Sequence, residues 1–118
     1  MITPKVVRRF DLSKTTFIIP LRIETEDRMR NIITTLIYLT RNFNTKVIVK
    51  EVDKESIYER EVLPLLEQAL EPDMLASIHH IFEQSDEFTF HRTKILNDML
   101  WMVDTPVVAN YDSDILLP

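Results

Sequence analysis

Hydrophobic residues in this chain fall into short unbroken runs, separated by stretches where they recur every three or four positions. The first run, Thr16-Phe17-Ile18-Ile19-Pro20-Leu21, is short, apolar and rich in β-branched residues, and it predicts a buried strand closed off by its proline. Thr25 is placed to cap the next segment, with Glu26 and Asp27 in the acidic first turn that helices favour. Met29, Ile32, Ile33, Leu36, Ile37 and Thr40 then share one helical face, so the spacing predicts a helix over 26–42, broken at Asn42-Phe43-Asn44-Thr45. Lys46 to Val52 is the second strand. The stretch 54–71 is helix-like, but Pro64 requires a break or restart. Ser77 to Phe82 forms a short third strand. Thr93 caps a helix whose apolar face is Ile95, Leu96, Met99, Leu100 and Val103. Pro106 to Tyr111 is the last strand.

Strands and helices therefore alternate, and the strands are continuously apolar. That combination predicts an α/β, Rossmann-like fold: a mainly parallel sheet with helices on both faces. Such sheets bind ligands beyond the carboxyl ends of their strands. Polar residues gather there in this sequence: Arg22 and Glu24 after the first strand, Glu51 and Asp53 after the second, Asp112 and Asp114 after the last.

With 118 residues the chain has room for one domain. A net charge of −5 and the lack of a basic run argue against a nucleic-acid binder that works by phosphate neutralisation. There is no cysteine, hence no disulfide framework and no thiolate site, and no apolar stretch of membrane-spanning length. A cytoplasmic location is the resulting expectation, with the inner face of the membrane as its variant. Glycine is absent altogether, where average usage of about 7% would supply roughly eight. Glycine-rich phosphate loops are thereby excluded, so any nucleotide must be held by side chains and ordinary turns.

Asp112 and Asp114 fall on the same side of an extended backbone, and two such carboxylates suit Mg²⁺ or Mn²⁺. The spacing alone is one that chance supplies, and a solvated turn explains it equally well. Arg22 taken by itself fits a surface cation paired with Glu24 or Glu26. Arg92 fits either a phosphate contact or the exposed start of a helix, and Asn97 fits local backbone bonding. His79 and His80 are neighbours that point apart, which suits structural roles. Trp101, Phe82, Phe88 and Phe90 fit core or rim packing.

Four segments taken together, "TFIIPLRIE", "KVIVKEVD", "FHRTKILND" and "TPVVANYDSDILLP", resemble in order and spacing the nucleotide-binding half of a GT-A-type glycosyltransferase. The likeness is to family-2-like enzymes and the galactosyltransferase N-terminal region. It implies that Pro20 and Arg22 line a nucleotide pocket and that Glu51, or else Asp53, contacts the base or ribose. It further implies that Arg92 faces a diphosphate, that Asn97 supports the pocket, and that Asp114 ligates a divalent metal, Mn²⁺ or Mg²⁺. Asp112 would contact ribose or a metal-bound water. The expected donor is a UDP-sugar, and a glycan or other acceptor would be bound by sequence beyond Pro118, so the chain is expected to be the N-terminal part of a longer enzyme. Met99 stands where the family usually has glycine, and Glu24 where it often has a second arginine. Two other function classes fit the same pattern: a receiver-like phosphoacceptor domain built on Asp53, and a non-catalytic interaction domain. A sheet edge left open is expected to drive self-association, most simply as a homodimer.

Overall fold

The computed structural model describes residues 10–111. Four strands, β1 (Phe10–Leu21), β2 (Phe43–Asp53), β3 (Ile78–Gln84) and β4 (Val107–Asn110), form one sheet in the order β3-β2-β1-β4. Every pairing in it is parallel. Helices α1 (Glu26–Asn42), α2 (Leu63–Ala69), α3 (Pro72–Ala76) and α4 (Arg92–Leu100) connect them, and a π-helical turn, Tyr58–Val62, leads into α2.

The continuous apolar runs are explained by a core on each side of the sheet. Ile19, Leu21, Val47 and Val49 face α1, through its Ile32, Leu36 and Leu39, and also meet Tyr58, Val62 and Leu66. Ile18, Ile48 and Val52 point the other way, toward Ile95 and Met99 of α4. Alternation along each strand thus serves two cores rather than one core and solvent. The chain winds outward from β1 to β3 and then crosses back to β4 on the other flank of β1. Because parallel crossovers keep one hand, this reversal sends α4 to the face opposite α1. It also creates a switch point between β1 and β4, where parallel sheets hold ligands.

Several expected boundaries shift for local reasons. α1 begins where predicted, the Thr25 hydroxyl accepting from the Arg28 amide at 3.1 Å. β2 begins at once at Phe43, with no intervening loop. Pro20 lies inside β1 opposite Lys50 rather than ending the strand. The Ile18 carbonyl accepts from the Tyr111 amide, so the backbone of Pro20, two residues on, faces the same β4 flank. Pairing on that flank stops at Ile18–Asn110, and the missing donor breaks no rung. The restart at Pro64 takes the form of the π turn: the Leu63 amide reaches back to the Tyr58 carbonyl, and α2 continues from it with proline in its first turn.

α4 differs from expectation at both ends. His91, not Thr93, is its N-cap, and it makes no side-chain capping bond. The helix stops at Leu100, leaving Leu100 exposed while Ile95 and Met99 are buried. Trp101 and Phe88 are not core residues either, being 91% and 98% exposed. No helix among the described residues is long and apolar enough to cross a membrane.

Candidate functional site at the strand ends

Glu51 is the most thoroughly engaged of the expected site residues. Period-two alternation aims it into the α1-side core behind Val47 and Val49, and it is 0% exposed. Its Oε1 accepts from the Ser56 hydroxyl at 2.6 Å and lies 3.0 Å from Nε2 of His80, while Oε2 accepts from the Ile57 and Tyr58 amides at 3.0 and 3.2 Å. The carboxylate thereby satisfies amides at the start of the π turn and ties β2 to β3. The His80 ring stacks flat on Tyr58, centroids 4.0 Å apart. Burial pushes the Glu51 carboxyl up, but the bonds from His80, Ser56 and Tyr58 outweigh it and hold the group below its ordinary value. Burial, then the adjacent Glu51 charge, pushes the Tyr58 hydroxyl well above the tyrosine range. Of the two carboxylates weighed for a base or ribose contact, Glu51 has its oxygens occupied internally. Asp53 sits at the strand end, half-buried, with Oδ1 accepting from the Lys54 amide at 2.7 Å.

Arg22 is not a surface cation paired with Glu24 or Glu26. It is only 7% exposed, because β1 delivers it beneath the β3–α4 loop. Nε donates to the Val52 carbonyl at 2.8 Å, and Nη1 donates to the carbonyls of Glu87 and Phe88 at 3.0 and 2.9 Å. The guanidinium carbon lies 5.3 Å from the Phe90 ring centre, within cation–π range. Nη2 is buried with no partner. Arg22 and Asp53, with Glu24, Lys54 and Phe88, line a cavity of about 600 Å³ at the carboxyl ends of β1 and β2.

A second group forms at β4. Arg92 opens α4, and its Nη2 lies 3.4 Å from Oδ1 of Asn110, the last residue of β4. Asn97, further along the helix, lines a groove of about 340 Å³ with Ile18, Leu96, Val108 and Asn110. Arg92 and Asn97 therefore converge on the switch point, next to the backbone that runs on to Asp112. Pro20 is buried in β1 between the two groups. Asp112 and Asp114 lie outside the described residues. Among the described residues no cluster of three or more His, Cys, Asp or Glu side chains could hold a metal. Another large cavity, about 580 Å³, is lined by Thr16, Lys46 and Ile78 at the opposite, amino-terminal ends of the strands, away from the groups at the carboxyl ends.

The internal role of Glu51 was open to sequence reasoning, since strand alternation from Val47 and Val49 already turned it inward. Lys50 was missed as well. It is buried on the α4 face, its Nζ 3.3 Å from Glu83 and 3.9 Å from Asp98.

Compared with protein-family models and with curated proteins, the chain finds no match.

Proposed function

We propose that this chain is the donor-binding part of a metal-dependent glycosyltransferase that takes a UDP-sugar. The observation that carries the reading is the approach of Arg92 to Asn110 at the switch point of a parallel sheet, two residues before Asp112. A cation at the end of β4, beside a pair of carboxylates in sequence, suits a diphosphate that gains negative charge as its sugar departs. Asp112 and Asp114 would hold Mn²⁺ or Mg²⁺. The ion supplies Lewis-acid stabilisation of the leaving diphosphate. Arg92 would donate to phosphate oxygens, Asn97 would support the groove, and Asp53 would take the base or ribose contact. Pro20 and Arg22 would form the wall between them.

The test is a calorimetric titration with UDP, run with Mn²⁺ and again after chelation. Saturable binding that chelation removes is expected; no binding, or binding indifferent to chelation, would count against the reading. Arg92→Ala is expected to weaken that binding by about 10- to 150-fold, the cost of losing one charge-assisted contact. Arg92→Lys should fall between, because it keeps the charge but not the planar fork. Equal affinities for all three proteins would remove Arg92 from the site.

An interaction role has its own support. Leu100, Trp101, Met102, Val107 and Val108 are all exposed around the end of α4 and β4, an edge strand among the described residues. An edge strand with exposed valines invites pairing with another copy. Self-association through this face is expected to show in the chain's single tryptophan, Trp101. Raising protein concentration should shift its emission to the blue and shield it from iodide. Emission that stays red and quenchable, with a monomer mass by light scattering, would rule this face out.

A further inference from the structure

We propose that the start of α4, on the side facing β3, is a separate binding site for one phosphoryl-class oxyanion. The inference does not rest on the glycosyltransferase reading. α4 runs for nine residues and begins without a side-chain cap. Among the described residues, the amides of Thr93 and Lys94 have no backbone acceptor. Such amides point outward along the helix axis and carry its partial positive charge. An exposed helix start would ordinarily leave them to water.

The second observation is Arg22. A guanidinium that is 7% exposed, with Nη2 unpartnered and no carboxylate within ion-pair distance among the described residues, is a costly thing to bury. The two features meet. Arg22, Ser85, Thr89, His91 and Lys94 line a cavity of about 80 Å³, small enough for one tetrahedral group and too small for a nucleotide.

Three acids share that wall, Glu83, Glu87 and Asp98. Each already has a polar partner: Lys50, shared between two of them, lies 3.3 Å from Glu83 and 3.9 Å from Asp98, and Nε2 of His91 lies 3.0 Å from Glu87. Arg22 and Lys94 remain as cations without a carboxylate among the described residues. Two cationic donors, free amides and the Thr89 hydroxyl ask for a ligand with several acceptors in a tetrahedral arrangement, which a phosphoryl group offers and a carboxylate does not. The site is distinct from the groove of Asn97 and Asn110, which opens on a different side of the helix.

The test uses the isotope-labelled full chain titrated with inorganic phosphate and followed at the Thr93 and Lys94 amides by NMR. Saturable shifts at these two amides are expected. Lys94→Gln should weaken the affinity by roughly threefold or more, while Lys14→Gln, an exposed lysine elsewhere, should not. Arg22→Gln should abolish the response, but because it also threatens folding, Lys94→Gln is the deciding variant. Unsaturated shifts, or equal affinity in both lysine variants, would overturn the proposal. Addition of UDP separates the sources: phosphate binding that persists with UDP present supports a separate site, and displacement by UDP would make it part of the nucleotide site and overturn the separation. Phosphate binding in a protein that takes no UDP would leave this inference standing while the donor-site reading fell.

Discussion

Replacing Glu51 with alanine is expected to cost about 3–5 kcal/mol of folding stability, since each buried donor left without its acceptor costs about 1–3 kcal/mol. The loss is large because four groups lose their acceptor at once: the Ser56 hydroxyl, the Ile57 and Tyr58 amides, and His80. The Tyr58 amide is buried at the start of the π turn, and the other three donors are part-buried beside it. A domain of this size has roughly 5–15 kcal/mol of net stability, so the variant should lose a large share of it. Glu51→Gln keeps the shape but loses the charge, and it should fall between the two. Urea midpoints measure this directly, and a variant within about 0.5 kcal/mol of the parent would refute the role given to Glu51.

The same carboxylate sets a pH dependence whose sign is fixed. Its value in the folded chain lies below the ordinary 4.5, so its contribution is fully present above 4.5 and fades as pH falls through the folded value. The parent should lose stability in that acid window, and Glu51→Gln should lack this component. Parallel acid curves for the two proteins would contradict the assignment.

How much of this was legible beforehand differs by level. Strand runs and the α1 stripe were readable because their apolar residues are buried, and burial leaves a period in the sequence. The parallel sheet was readable from strands with two dry faces. The start of α4 was misread because Thr93 is a good capping residue in isolation, while the helix in fact opens two residues earlier, with His91 at the cap position and the neighbouring Phe90 ring 5.3 Å from the Arg22 guanidinium. Trp101 and Phe88 were misread for a simpler reason: composition says aromatic residues are usually covered, and only the placement of α4 and its preceding loop reveals that these two are not.

The candidate site was legible as a set of strand ends but not as geometry. No sequence pattern distinguishes Arg22 pinned under backbone carbonyls from an arginine reaching into solvent, since the acceptors at Val52, Glu87 and Phe88 are far along the chain. Glu51 and Asp53 appeared equivalent as acids at one strand end, and alternation gives them the same side of β2. Depth separates them. Glu51 pairs with Leu21 on one flank and Phe82 on the other, and the π turn closes over its carboxylate. Asp53 lies beyond the last pairing with β1, at the mouth of the cavity.

The donor-site account depends most on Asp114. The ion's two carboxylate ligands would come from one short segment after β4, and loss of one leaves a single acidic group where a dehydrated divalent ion needs more. Asp114→Ala should therefore abolish Mn²⁺-dependent UDP binding, a loss of at least about 100-fold, while leaving the urea midpoint unchanged. The decisive measurement is the UDP titration in Mn²⁺ of the parent chain beside Asp114→Ala. The account predicts saturable binding by the parent and none by the variant at the same concentrations; equal binding by both would contradict it.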